Sequence, residues 1–186
     1  MAKIGIIGHR VLCEVDKIQP GIQQALEWLA KKFSGEPLTL LTSLADGSDR
    51  LVAAQFRSLE GSRVVAVLPL SVHEYLNDFE YGDSRKDFTD HLEAAEEVIQ
   101  MPDLPERDAA YEAAGFYIVD HCDALICIWD GKEAQGRGGT GSMIGRARSR
   151  GIPIAWIHAG NRQAGTMQPT SLGSEQGTVT YENQAY

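Results

Sequence analysis

The sequence predicts an α/β domain: a three-layer α/β/α sandwich built on a mostly parallel sheet. Three observations point there. Short apolar runs of strand length alternate along the chain with amphipathic stretches of helical period. The run Ala124–Trp129 is apolar throughout, as in a strand buried on both faces of a parallel sheet. Glycine-bearing loops follow several of these runs, where the carboxyl ends of parallel strands place ligand-binding loops.

The elements follow in order. Residues 3–7 make a first strand that runs into Gly8, His9 and Arg10. Asp16 is expected to cap a helix from about Lys17, with Ile18, Ile22, Leu26, Leu29 and Phe33 on one face. Pro20 is assigned to its first turn and Gly35 to its end. A second strand spans residues 37–44, and a helix bearing Leu51, Val52, Gln55, Phe56 and Leu59 ends at Gly61. Residues 63–68 form a third strand closed by Pro69. An acidic amphipathic helix over 84–97 and a short strand over 98–101 come next. Asp103 and Pro105 open a helix whose apolar face includes Ala110, Ala114 and Ile118.

The strand at 124–129, a glycine-rich loop, a helix from Ser142 to about Arg150 and a strand at 152–157 complete a βαβ unit. Residues 1–160 are read as one domain. Residues 161–186 are read as a polar tail with one edge strand at 178–182.

Composition narrows the function. The chain of 186 residues carries a formal net charge of -9, which disfavours a general nucleic-acid or membrane-surface binder. Three cysteines, Cys13, Cys122 and Cys127, have no paired spacing, and no apolar run approaches membrane length. A reduced, cytoplasmic setting is expected. Neither His9 with Cys13 nor His121 with Cys122 forms a recognised metal-ligand set.

Right-handed crossovers place the strand ends on one edge of the sheet. Three loops then share a rim and offer Gly8, His9, Arg10, Gly47, Ser48, Asp49, Arg50, Asp130, Arg137, Gly138, Gly139, Thr140, Gly141 and Ser142. Glycines with free amides at a helix start suit an anion, typically phosphate, and Asp130 could accept hydrogen bonds from a ribose or base. Each residue also has a structural reading: Ser48 or Asp49 as helix caps, Arg10 and Arg50 as surface ion pairs, His9 as a backbone partner, and the glycines as a simple turn. Glu74 follows the third strand and is the candidate nucleophile or base, should chemistry occur at a glycosidic carbon. Arg146, Arg148 and Arg150 lie towards a helix carboxyl end, where the macrodipole accounts for them.

These residues also recur as a set. Residues 7–10 (Ile-Gly-His-Arg), 47–53 (Gly-Ser-Asp-Arg-Leu-Val-Ala), 67–70 (Val-Leu-Pro-Leu) with Glu74, Tyr75, Asp78 and Phe79, 122–126, and 129–131 with 138–141 appear in an order that resembles the SLOG superfamily. That superfamily of Rossmann-like proteins includes lysine-decarboxylase-like (LOG) phosphoribohydrolases, DprA-type DNA-processing proteins, molybdenum-cofactor carriers and nucleotide-sensing domains. The resemblance covers residues 3–159 and implies a Rossmann-like nucleotide-binding domain. In the phosphoribohydrolases a Pro-Gly-Gly-x-Gly-Thr-x-x-Glu signature carries a catalytic glutamate. Here Arg137 replaces the proline, Ser142 stands at the threonine and Gly145 at the glutamate.

The expected function is therefore binding of a nucleotide or nucleotide-derived, phosphate-bearing small molecule, as sensor or binding protein. The alternatives are an N-glycosidase or phosphoribohydrolase and a molybdenum-cofactor carrier. The cofactor is not specified by the sequence, and self-association into a homo-oligomer is left open.

Overall fold

A computed structural model of the chain describes residues 1–133 and 138–183. The elements run β1 (Ala2–Gly8), α1 (Val15–Lys32), β2 (Leu38–Thr42), α2 (Ser48–Phe56), β3 (Arg63–Leu68) and α3 (Val72–Tyr75). They continue with α4 (Asp83–Glu93), β4 (Glu97–Gln100), α5 (Arg107–His121), β5 (Ala124–Trp129), α6 (Thr140–Ser149), β6 (Ile154–His158) and β7 (Val179–Glu182). The strands form one sheet in the order β4-β3-β2-β1-β5-β6-β7. Every neighbouring pair is parallel except β6 with β7. This is a Rossmann-like three-layer sandwich.

Alternation along the strands builds the two cores. Ala124, Ile126 and Ile128 of β5 face the layer of α1, α2 and α4, together with Ile4 and Ile6 of β1. Leu125, Cys127 and Trp129 face the opposite layer, where Ala114 and Ile118 of α5 meet Met143 and Ala147 of α6. The chain walks outward from β1 to β4 and then returns to place β5 beside β1, registered from Ile4↔Ala124 to Gly8↔Ile128. Connections leaving these two strands diverge, and a crevice opens beyond their carboxyl ends.

Some local expectations are corrected. Glu14, in a left-handed conformation (φ 49°), precedes α1 with no side-chain cap, so Asp16 lies within the first turn instead of capping it. Pro20 sits one turn deeper than expected, inside the helix, where it cannot donate to the Asp16 carbonyl. Helix α4 stops at Glu93 and β4 starts at Glu97, so the edge strand begins one residue earlier than its apolar pattern suggests.

Polar residues after β6 form ordered structure. Arg162 pairs with Pro169 in an antiparallel bridge, and Thr170 N–H donates to the Asn161 carbonyl at 2.7 Å. Buried Gln176 then ties three segments together: its Nε2 donates to the Cys13 carbonyl (2.9 Å), and its Oε1 accepts from Gly160 N–H (3.0 Å) and Leu172 N–H (3.1 Å). The edge strand that follows is β7, antiparallel to β6. No helix among the described residues is long and apolar enough to cross a membrane.

Candidate functional site

The crevice at the β1/β5 switch point has a volume of about 1380 Å³. Its first wall is the turn after β1. His9 N–H donates to the Ile128 carbonyl (3.0 Å), which continues the β1–β5 pairing by one residue. The His9 carbonyl in turn accepts from both Ser48 N–H (3.1 Å) and Ser48 Oγ (2.7 Å), fixing the turn to the start of α2. That approach is possible only without side chains at two positions. A Cβ on Gly8 would lie 2.4 Å from Ser48 Oγ and 2.9 Å from the Ile128 carbonyl oxygen. One on Gly47, which also has φ +75°, would lie 2.3 Å from the Arg10 carbonyl oxygen.

The His9 ring is buried and meets Asp130 at the end of β5. Nε2 accepts from Asp130 N–H at 3.1 Å and lies 3.1 Å from Asp130 Oδ1. Burial lowers the His9 pKa and outweighs the opposing pull of Asp130. Neutral His9, with its proton on Nδ1, can accept the Asp130 amide. Asp130 Oδ1 also accepts from Lys132 N–H (3.2 Å), which closes a turn at the crevice floor.

The second wall is the start of α6. Gly138 has φ +74°, whereas Gly139, the residue before the helix, has φ −71° and ψ 156°, open to any side chain. The left-handed position in the glycine loop is thus Gly138. Thr140 and Gly141 supply amides of the first helical turn, which have no acceptor inside their own helix, and both residues line the crevice. Ser142 N–H turns back to the Gly139 carbonyl at 3.0 Å.

A third side comes from the turn after α3 and from α5. Asp78 accepts from Tyr111 Oη and from Arg107, and Arg10 lies 3.9 Å from the same carboxylate with its guanidinium 5.1 Å from the Tyr111 ring centre. The hairpin of residues 161–170 closes the fourth side, bringing Asn161, Arg162 and Met167 to the rim. Below the crevice, and sharing Gly8, Arg10, Tyr111, Gly138 and Thr140 with it, a recess of about 100 Å³ reaches Asp49 and Tyr75.

No known family model and no curated protein matches the chain.

The structure brings together eight of the residues singled out in the sequence: Gly8, His9, Arg10 and Asp130 face Gly138, Gly139, Thr140 and Gly141 across the crevice. Asp49 faces the recess alone. Its Oδ2 accepts from Thr42 Oγ1 and Ser43 N–H, both at 3.0 Å, while burial raises its pKa to about 6. Gly47 and fully buried Ser48 sit behind the first wall, and Ser142 also lies outside the lining. Arg50 is buried and clamps α2 to α4 through the Leu44 carbonyl (2.9 Å), Asp46 (2.7 Å) and Asp87 (3.3 Å). Arg137 lies outside the described residues.

Glu74 is exposed, and it lines neither space. It is held by the helix cap Ser71: Glu74 N–H donates to Ser71 Oγ (3.3 Å), which donates to Glu74 Oε2 (3.3 Å). Its neighbour Tyr75 is the residue turned inward, with 0% exposure. The Ser-x-x-Glu spacing was the available signal for that arrangement. The hairpin at 161–170 is ordered mostly by bonds within itself, such as Gln163 N–H to the Gln168 carbonyl (2.7 Å), between polar residues that carry no strand pattern in the sequence.

Proposed function

We infer that the protein binds a nucleotide or nucleotide-derived small molecule in the switch-point crevice, as a sensor or binding protein of the SLOG type. The observation that carries this reading is the opposition of Arg10 to the first turn of α6 across one open space. A helix start attracts phosphate through its free amides and dipole, and Arg10 adds a full charge from the other side. A tripartite polar floor of His9, Asp130 and Lys132 offers both donors and acceptors beyond the phosphate.

Binding without hydrolysis is favoured over the glycosidase alternative by two placements. Glu74 stays bonded to Ser71 outside the crevice, and Gly145, which stands at the catalytic glutamate of the resembling hydrolases, is exposed on α6. No observation favours the molybdenum-cofactor carrier over the nucleotide binder.

The test compares two arginines. Arg10 lines the crevice, whereas Arg148 pairs with Glu182 at 2.7 Å, away from it. Losing a charged hydrogen bond to phosphate costs about 1.5–3 kcal/mol, roughly ten- to more than a hundredfold in affinity. Titration calorimetry with ribonucleoside 5′-monophosphates should show Arg10→Ala weakening binding at least tenfold and Arg148→Ala changing it less than twofold. Equal losses would place the ligand elsewhere.

A further inference from the structure

The recess beneath the crevice contains a polar group that the protein leaves without a partner. Tyr75 is fully buried, held by edge-on contacts to Phe79 and Phe88 with ring centres 4.9 Å and 5.5 Å away. Among the described residues its hydroxyl has no hydrogen-bond partner. Buried hydroxyls are normally satisfied, and an orphan is costly unless something else completes it. Tyr75 lines the recess together with Arg10, Asp49 and Tyr111.

The chemistry around the recess selects its occupant. Arg10 only donates, so it disfavours a cation. Asp49 only accepts when ionised and stands beside the same space, so it disfavours a second phosphate or carboxylate. Tyr75 can do either. A neutral group that both donates and accepts is what remains, and hydroxyls fit that description. The volume of about 100 Å³ is well above the roughly 10–15 Å³ that one water demands, so two adjacent hydroxyls can enter. Thr140 borders both spaces, which puts the recess next to the proposed phosphate position at the start of α6.

We propose that the recess is a sugar subsite, in which Tyr75 and Asp49 receive the vicinal hydroxyls of a ribose whose 5′-phosphate lies against α6. The proposal rests on the nucleotide reading of the crevice and adds to it the discrimination of ribose from deoxygenated sugars. A site built to hydrogen-bond a substrate hydroxyl rejects the analogue that lacks it, because its own buried group is then left unpaired.

The experiment titrates each ribonucleoside 5′-monophosphate beside its 2′,3′-dideoxy counterpart, on the wild-type chain and on Tyr75→Phe. The wild type should prefer the ribonucleotide by at least tenfold. Tyr75→Phe should lose most of that preference by weakening the ribonucleotide, with the dideoxy compound bound within twofold of wild type. Its melting temperature should be unchanged or higher, since the substitution removes an orphan hydroxyl and keeps the ring. Equal wild-type affinity for both sugars, or equal weakening of both by Tyr75→Phe, overturns the sugar subsite and leaves the phosphate site standing. Binding of neither compound by the wild type overturns the nucleotide reading and the subsite with it.

Discussion

On the β1 side of the crevice most of the polar groups are occupied inside the protein, whereas the α6 side presents first-turn amides with no acceptor in their own helix. Ser48 gives both its amide and its hydroxyl to the His9 carbonyl, Arg50 bridges α2 and α4, and the Asp49 carboxylate holds Thr42 and Ser43. Across the gap, Thr140 and Gly141 simply begin a helix. The first wall is therefore a rigid frame that projects a few groups, chiefly Arg10 and the His9–Asp130 pair. The second is the start of a helix whose first-turn amides have no acceptor within it, and it is the anion cradle of the proposed reading. Substitutions should divide accordingly: those in the frame behind the first wall should register in stability, and those at Arg10 or the start of α6 in affinity.

The largest contrast is between Gly8 and Thr140. A methyl group at Gly8 meets Ser48 Cβ at 2.5 Å and the Ile128 carbonyl oxygen at 2.9 Å, and neither can move without shifting α2 or β5. Gly8→Ala should cost about 3 kcal/mol, the upper range for overpacking. Thr140→Ala should change stability by less than about 0.5 kcal/mol. Urea denaturation of both variants measures the difference, and similar values would mean that the two walls are not built differently.

Asp49 sharpens the comparison through pH. Its pKa rises from 3.8 to about 6 in the folded chain, chiefly through burial, with the bonds from Thr42 and Ser43 opposing. The native state therefore binds a proton that the unfolded state has released over that interval. The resulting stabilisation is complete below about 3.8 and is lost as pH rises through about 6. Asparagine cannot titrate. The stability of wild type relative to Asp49→Asn should fall by on the order of 2–3 kcal/mol between pH 4 and pH 7. A flat difference would show that the hydrogen bonds outweigh burial and that Asp49 is an ordinary carboxylate.

These same residues show what the sequence exposes and what it hides. Strands β3 and β5 fall at their expected bounds because burial on both faces makes them continuously apolar. Strand β4 is mostly exposed, with Val98 46% exposed, so its pattern is weak and its start shifts. The loops reach one rim because parallel connectivity requires it, and eight named residues meet there. Which residues frame the site and which face it depends on distances of a few ångströms. Gly8 and Gly47 look like ligand-approach glycines, yet their missing side chains make room for Ser48 and the Arg10 carbonyl. Glu74 attracts notice as a carboxylate, while the adjacent Tyr75 points inward. The fourth wall, residues 161–170, is polar and irregular in sequence, and Gln176 helps anchor the segment that follows it through contacts as distant as Cys13.

The smallest effect is expected at Gly145, and it defines where the second wall ends. The residue is in the middle of α6, exposed, and a Cβ there would meet nothing within 4 Å. An exposed helical glycine costs about 0.5–1 kcal/mol relative to alanine, mostly through backbone entropy. Gly145→Ala should therefore raise stability by about that amount. If the cradle is confined to the first turn of α6, nucleotide affinity should stay within twofold, since Gly145 borders neither the crevice nor the recess. Thermal unfolding reads the first quantity and calorimetry the second. A gain in stability with a clear loss of affinity would mean that the ligand runs along α6 to the position where the resembling hydrolases keep their glutamate. The binding surface would then extend past the first turn, and the wall of free amides would be only its beginning.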